Sequence, residues 1–145
     1  MHPRSFFVIE DEATLRSILE ETRTVAVVGI KNGETDDAYR VPHYMQENGY
    51  RILPVNPKLD QVLNLPCHSS LSDLQEPADL VNLFRASAHL PGLADEILAL
   101  PKRPRTVWMQ LGIQHAEAAR RLHDAGISVV QDRCIMVDHR RWIAP

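Results

Sequence analysis

The pattern that most restricts the fold is a set of five short apolar runs that do not alternate between apolar and polar positions. They are Thr24–Gly29, Arg51–Val55, Ala78–Phe84, Thr106–Leu111 and Ile127–Val130. A strand with one solvated face alternates, whereas a strand covered on both faces reads as a continuous aliphatic and β-branched run, the habit of parallel sheets. Parallel neighbours need crossover connections, and helical stretches lie between the runs. A helix at about 12–22 places Leu15, Ile18 and Leu19 on one stripe ahead of the first strand. Pro42–Asn48 reads as a short helix with Pro42 in its first position and Gly49 just past its end. Pro91–Leu100 carries Leu93, Ile97 and Leu98 on one side, and Gln114–Ala125 stops at Gly126. With right-handed crossovers these elements predict an α/β chain. It is a single Rossmann-like, doubly wound domain over residues 1–145, with a five-stranded parallel sheet of order 3-2-1-4-5 and helices on both faces.

Charge and cysteine content narrow the function. The chain has 145 residues and a net charge of -3, so bulk positive charge is not available for nucleic acid, although a local basic patch is. Two cysteines make no disulfide framework and no Cys-x-x-Cys site. Phe6-Phe7-Val8-Ile9 is too short for a secretory core, and no apolar run approaches the roughly 18 residues of a membrane span. The expectation is a cytoplasmic protein that engages neither membrane nor nucleic acid. The histidines show no metal-binding spacing, and Cys67-His68 has no second pair to complete a site. Protein partners and self-association are not readable from the sequence.

A doubly wound sheet takes its ligand beyond the carboxyl ends of its strands, at the switch between strands 1 and 4. The connection after Gly29, read as Ile30 to Val41, is long and holds Lys31, Gly33 and Arg40. It feeds a helix start, where free amides and the dipole attract phosphate. A dinucleotide fingerprint needs a second glycine where Lys31 stands, and an acid ending strand 2 where Val55-Asn56-Pro57-Lys58 supplies a cation. NAD is thereby disfavoured, and an NADP-binding domain of an oxidoreductase stands as the alternative. Lys58 suits a ligand with an extra phosphate on its adenosine ribose.

Several strings resemble the stand-alone CoA-binding domain proteins, which are similar in turn to the N-terminal domain of the succinyl-CoA synthetase α subunit. They are Ala26-Val27-Val28-Gly29, Tyr39-Arg40-Val41-Pro42, the stretch from Gly49 to Pro57, Asp79 to Arg85, Val107 to Ile113 and Asp132 to Val137. The resemblance covers nearly the whole chain and implies coenzyme A across the carboxyl edge of the sheet. It implies that Gly29, Ile30, Lys31, Asn32 and Gly33 hold the pyrophosphate through backbone amides, and that Asn56, Pro57 and Lys58 meet the adenosine phosphate. Phe84, Arg85 and Ala86 would border the adenine and the start of the pantetheine arm. Gln110, Leu111 and Gly112 would line the arm, Arg133 and Cys134 would reach its thiol end, and Arg40 joins the set through its Arg-Val-Pro string. The first loop departs from the synthetase spacing.

The synthetase bears its phosphorylated histidine in a second domain, and no such segment occurs in these 145 residues, so ligation is not carried over. Cys134 is the one nucleophile in a favoured place, beside Arg133, where a cation lowers a thiol pKa; packing at a strand end is the competing role. No catalytic residue is assigned. The expected protein is a CoA or acyl-CoA carrier, sensor or regulator without catalysis of its own.

Overall fold

The computed structural model describes residues 8–144; Phe6 and Phe7 of the N-terminal run lie outside them. The sheet is built from β1 (Thr24–Val28), β2 (Arg51–Val55), β5 (Leu80–Leu83), β6 (Thr106–Met109) and β7 (Ser128–Val130), all parallel, in the order β2-β1-β5-β6-β7. Each coincides with an expected run. The 3-2-1-4-5 pattern is kept, but with a change of occupant. Its outermost place belongs to a single parallel bridge, Val55 to His68, and the run expected there, Leu80–Leu83, lies on the other side of β1. His68 donates to the Pro54 carbonyl at 2.9 Å and accepts from the Asn56 amide at 2.8 Å, so the edge of β2 is already occupied when the chain reaches β5.

Between β2 and that bridge a small antiparallel hairpin forms from β3 (Gln61–Val62) and β4 (Leu65–Pro66). Its two turn residues, Leu63 and Asn64, both have positive φ, 56° and 61°, the primed geometry of a two-residue hairpin turn. At the far edge Val8 bridges to Val129 and the Ile9 amide donates to the Val129 carbonyl at 2.8 Å.

Successive side chains of a strand point to opposite faces, and both faces are covered. Ala26, Val28, Leu53, Val81 and Val107 pack against α3 (Leu90–Leu98) and α4 (Ala116–Asp124). Val25, Val27, Ile52, Leu80 and Trp108 pack against α1 (Glu12–Glu21), α2 (Asp37–Glu47) and α5 (Ile135–Trp142). The expected stripe Leu15, Ile18 and Leu19 is the buried face of α1.

Two departures from the sequence reading bear on the site. The helix predicted to start at Pro42 starts instead at Asp37, with Asp36 as cap and Pro42 inside it. Proline there removes one intrahelical hydrogen bond, leaving the Ala38 carbonyl without its usual partner. The Lys31 amide supplies the missing donor at 3.1 Å. The proline thus turns a helix carbonyl outward and pins the preceding loop, which spans only 29–36. The second departure is α5 itself, absent from the sequence reading. Its buried Asp138 takes both ends of the Arg133 guanidinium at 2.7 and 2.9 Å, fixing the helix to the end of β7. Among the described residues no helix is long and apolar enough to cross a membrane.

Candidate functional site

The switch lies where β1 ends between β2 and β5. Gly29 follows β1 with φ +85°, and a Cβ there would stand 2.7 Å from the Phe84 carbonyl oxygen and 3.1 Å from Arg85 Cδ. Glycine alone lets the chain pass beneath the turn after β5 with the Arg85 side chain above it. Asn56, the residue after β2, binds in two directions. Its Nδ2 donates to the Ile30 carbonyl at 2.7 Å and its Oδ1 accepts from the Lys58 amide at 2.8 Å. The loops after β1 and β2 are therefore joined through one side chain.

A cleft of ≈ 210 Å³ opens at this junction, with Gly29, Asn56, Pro57 and Arg85 on its walls. Ser69, Ser70 and Glu96 also face it, and sequence reasoning did not select them. Ser69 and Ser70 arrive there because His68 is bridged to β2, a long-range pairing that leaves no local signal. Lys58 and Arg85 form no ion pair among the described residues, whereas Lys31 stands 3.5 Å from Asp36. Arg85 shares the cleft with the Glu96 carboxylate, and Lys58, on the loop beside it, adds a second unpaired cation, so the carboxyl end of the sheet carries a positive excess that favours an anionic ligand.

The first loop differs from a simple phosphate cradle. The Gly29 amide donates to the Val55 carbonyl at 2.9 Å and the Lys31 amide to Ala38, so neither is free. Ile30 is fully buried and offers no side chain. At the start of α2 the Asp36 carboxylate takes the Ala38 amide at 2.9 Å, and the amides of Tyr39 and Arg40 both donate to the Asp36 carbonyl. Asp37 adds a second negative charge to that first turn. The expected amide-rich helix start is thus already occupied, which shifts the burden of anion binding to side-chain cations. Asn32 and Gly33 are exposed, and Gly33 has neither positive φ nor a close neighbour to demand glycine.

A second group gathers beyond β6 and β7. Gln110 is buried, and its Oε1 accepts from Asn82 Nδ2 and from the Ile135 amide, both at 3.3 Å. Gly112, at φ +83°, donates its amide to Asp132 Oδ1 at 2.7 Å, and Trp108 Nε1 donates to the Arg133 carbonyl at 2.9 Å. These bonds draw Leu111, Arg133 and Cys134 to one rim. Leu111 is 66% exposed, unusual for a leucine, and Cys134 is a half-buried residue at the cap of α5. Arg133, spoken for by Asp138, is not a free cation beside that thiol. Arg40 stands apart from the cleft. It pairs with Asp37 at 3.2 Å and lines a recess between α2 and α5 with His43 and Arg140. Cys67 is half-buried, its Sγ 3.6 Å from the Asn56 carbonyl, and burial pushes its thiol pKa up, away from nucleophilic use.

The family model described as CoA binding domain matches residues 23–140, which takes in every strand of the sheet. An uncharacterised protein of Bacillus subtilis, YneT, is 38% identical over 128 residues, covering 88% of this chain and 93% of that one. A solved structure from Thermus thermophilus is 41% identical with a TM-score of 0.87, covering 92% of this chain and all of its own. A hypothetical protein of Pyrococcus horikoshii is 28% identical with a TM-score of 0.88 over 99% of both chains. An ADP-forming acetate–CoA ligase of Methanocaldococcus jannaschii is 24% identical over 74 residues, and the match covers 10% of that enzyme.

Proposed function

Because this chain belongs to the CoA-binding domain family, we propose that it binds coenzyme A at the carboxyl end of its sheet and acts as a carrier, sensor or regulator rather than a catalyst. The observation that carries this reading is the junction at Gly29, where Arg85 lies across a residue that only glycine can fill while Asn56 holds the Lys58 loop alongside. The adenosine phosphates meet Lys58 and Arg85, with Asn56 and Pro57 on the wall and Phe84 and Ala86 beside the base. The pyrophosphate crosses the loop from Gly29 to Gly33. The pantetheine arm runs towards Gln110, Leu111 and Gly112, and its thiol ends near Arg133 and Cys134. Arg40, facing the α2–α5 recess, takes no part in this arrangement.

The ligase likeness covers a tenth of that enzyme, so its chemistry is not transferred. Within the described residues no group of three His, Cys, Asp or Glu side chains converges to hold a metal ion. NADP shares the extra ribose phosphate, but Lys31 stands where a dinucleotide requires a second glycine.

Calorimetric titration of ligand-stripped protein with CoA, dephospho-CoA, NADP and NAD tests the proposal. CoA binds most tightly, dephospho-CoA more weakly, and NAD weakest of all. Equal affinity for CoA and dephospho-CoA removes Lys58 from its role, and absence of CoA binding overturns the reading.

A further inference from the structure

At the opposite end of the sheet the segments leading into β5 and β6 line a further, half-open cavity of ≈ 200 Å³. Its floor is Leu71 and Val81, both fully buried, and Leu74 and Leu100 close its sides. Pro77, Pro101 and Pro104 form much of the remaining wall, and proline has no N–H to offer a bound water. An apolar engineered cavity of about 150 Å³ stays dry and takes benzene, so this volume accommodates a single ring with a short substituent.

The polar groups at the mouth are nearly all engaged. Glu76 is held by Arg51 at 2.6 and 2.7 Å, and Gln75 Nε2 donates to the Asp73 carbonyl at 3.1 Å. Ser72 shares a hydrogen bond with Ser70 at 2.9 Å. Lys102 is the exception. It is exposed on the rim, and among the described residues it makes no hydrogen bond or ion pair, acting only as a distant positive charge on Asp79. An apolar pocket of one-ring size with one uncompensated cation at its lip selects an amphipathic anion.

We infer that this cavity is a second ligand site, for a small single-ring carboxylate whose ring sits over Leu71 and Val81 and whose carboxylate meets Lys102. The site adjoins the carboxyl-end cleft only through Leu71, which borders both, and does not rest on the CoA reading.

The test is methyl-resolved NMR of the full chain titrated with phenylacetate and, in parallel, with the neutral phenylacetamide. Saturable one-site shifts are expected at Leu74, Val81 and Leu100, with a dissociation constant on the order of 1 mM for a ligand of this size. Saturating CoA leaves them unchanged. Lys102→Gln, at an exposed position, weakens phenylacetate about two- to fivefold, the scale of a partly solvated charge contact, and leaves phenylacetamide unaffected. Leu74→Trp fills the cavity and abolishes both. Linear, unsaturating shifts overturn the inference, as do shifts confined to the residues around Gly29. Perturbation of the same methyls by protein concentration alone also overturns it, by making a second copy of the chain the occupant.

Discussion

At the residue scale, two glycines of one loop have opposite requirements. Gly29 combines a left-handed φ with a Cβ position 2.7 Å from a backbone oxygen that cannot move away. Gly29→Ala is expected to cost about 2–4 kcal/mol, the sum of left-handed strain and a backbone clash, and to abolish CoA binding. Gly33→Ala, with nothing closer than Asp36 Cβ at 3.9 Å, stays within about 0.5 kcal/mol of the parent. Urea unfolding of the pair measures the contrast, and equal costs refute the geometry assigned to Gly29. Lys58 gives the binding counterpart. Lys58→Glu is predicted to narrow the preference for CoA over dephospho-CoA by about 1–3 kcal/mol, the range of a charge-assisted contact, without altering the urea midpoint. An unchanged preference places the ribose phosphate elsewhere.

At the element scale, the strands were readable because burial on both faces writes itself as an unbroken apolar run, and β1, β2 and β6 begin where those runs begin. The start of α2 was misread because Val41 precedes a proline, which disfavours the helical region. Burial of Ala38, Val41 and Met45 on one stripe outweighs that bias, and the Lys31 amide, seven positions ahead of Ala38 and across a loop, makes good the lost hydrogen bond. The same misreading hid the acidic cap at Asp36 and so made the helix start look ready for phosphate. The short α5 escaped notice because its polar run Asp138 to Arg141 interrupts the apolar pattern, yet Arg140 and Arg141 in its last turn complement the helix dipole. Residues such as Gly29 and Lys58 sit beside strand ends and were accessible to sequence reasoning; Ser69, Ser70 and Glu96 depend on packing between distant segments. The Arg133–Asp138 pair that anchors α5 yields a prediction at this scale. Asp138→Ala leaves a guanidinium that is 27% exposed without its partner and costs about 2–3 kcal/mol. Amide hydrogen exchange locates the loss. Protection falls first in α5, and a uniform fall across the sheet contradicts the anchoring role.

At the scale of the whole molecule, the helical layer of α1, α2 and α5 carries a buried aromatic cluster that makes stability depend on pH. His139 is 4% exposed, and its Nδ1 lies 2.8 Å from the Tyr44 hydroxyl. Its ring packs edgewise against Tyr44 and Tyr50 at centroid distances of 5.4 and 5.6 Å. Tyr50 in turn donates to the Leu19 carbonyl at 2.6 Å, tying α1 to the same cluster, and burial pushes its phenol up to about 12. Burial lowers the His139 pKa below the ordinary 6.5. The folded state therefore holds His139 neutral at a pH where the unfolded chain already protonates it. Stability from this residue is complete above pH 6.5 and declines as pH falls through the interval down to the folded pKa, by at most about 1.4 kcal/mol per pH unit for one proton. Below that interval both states bind the proton and the loss stops growing. Urea midpoints between pH 5 and 8 measure the slope, and His139→Phe, which keeps the ring but removes the titrating group and its hydrogen bond to Tyr44, flattens it while lowering stability at neutral pH. A slope unchanged in that variant removes His139 as its source, and the aromatic cluster then fastens the helical layer at every pH alike.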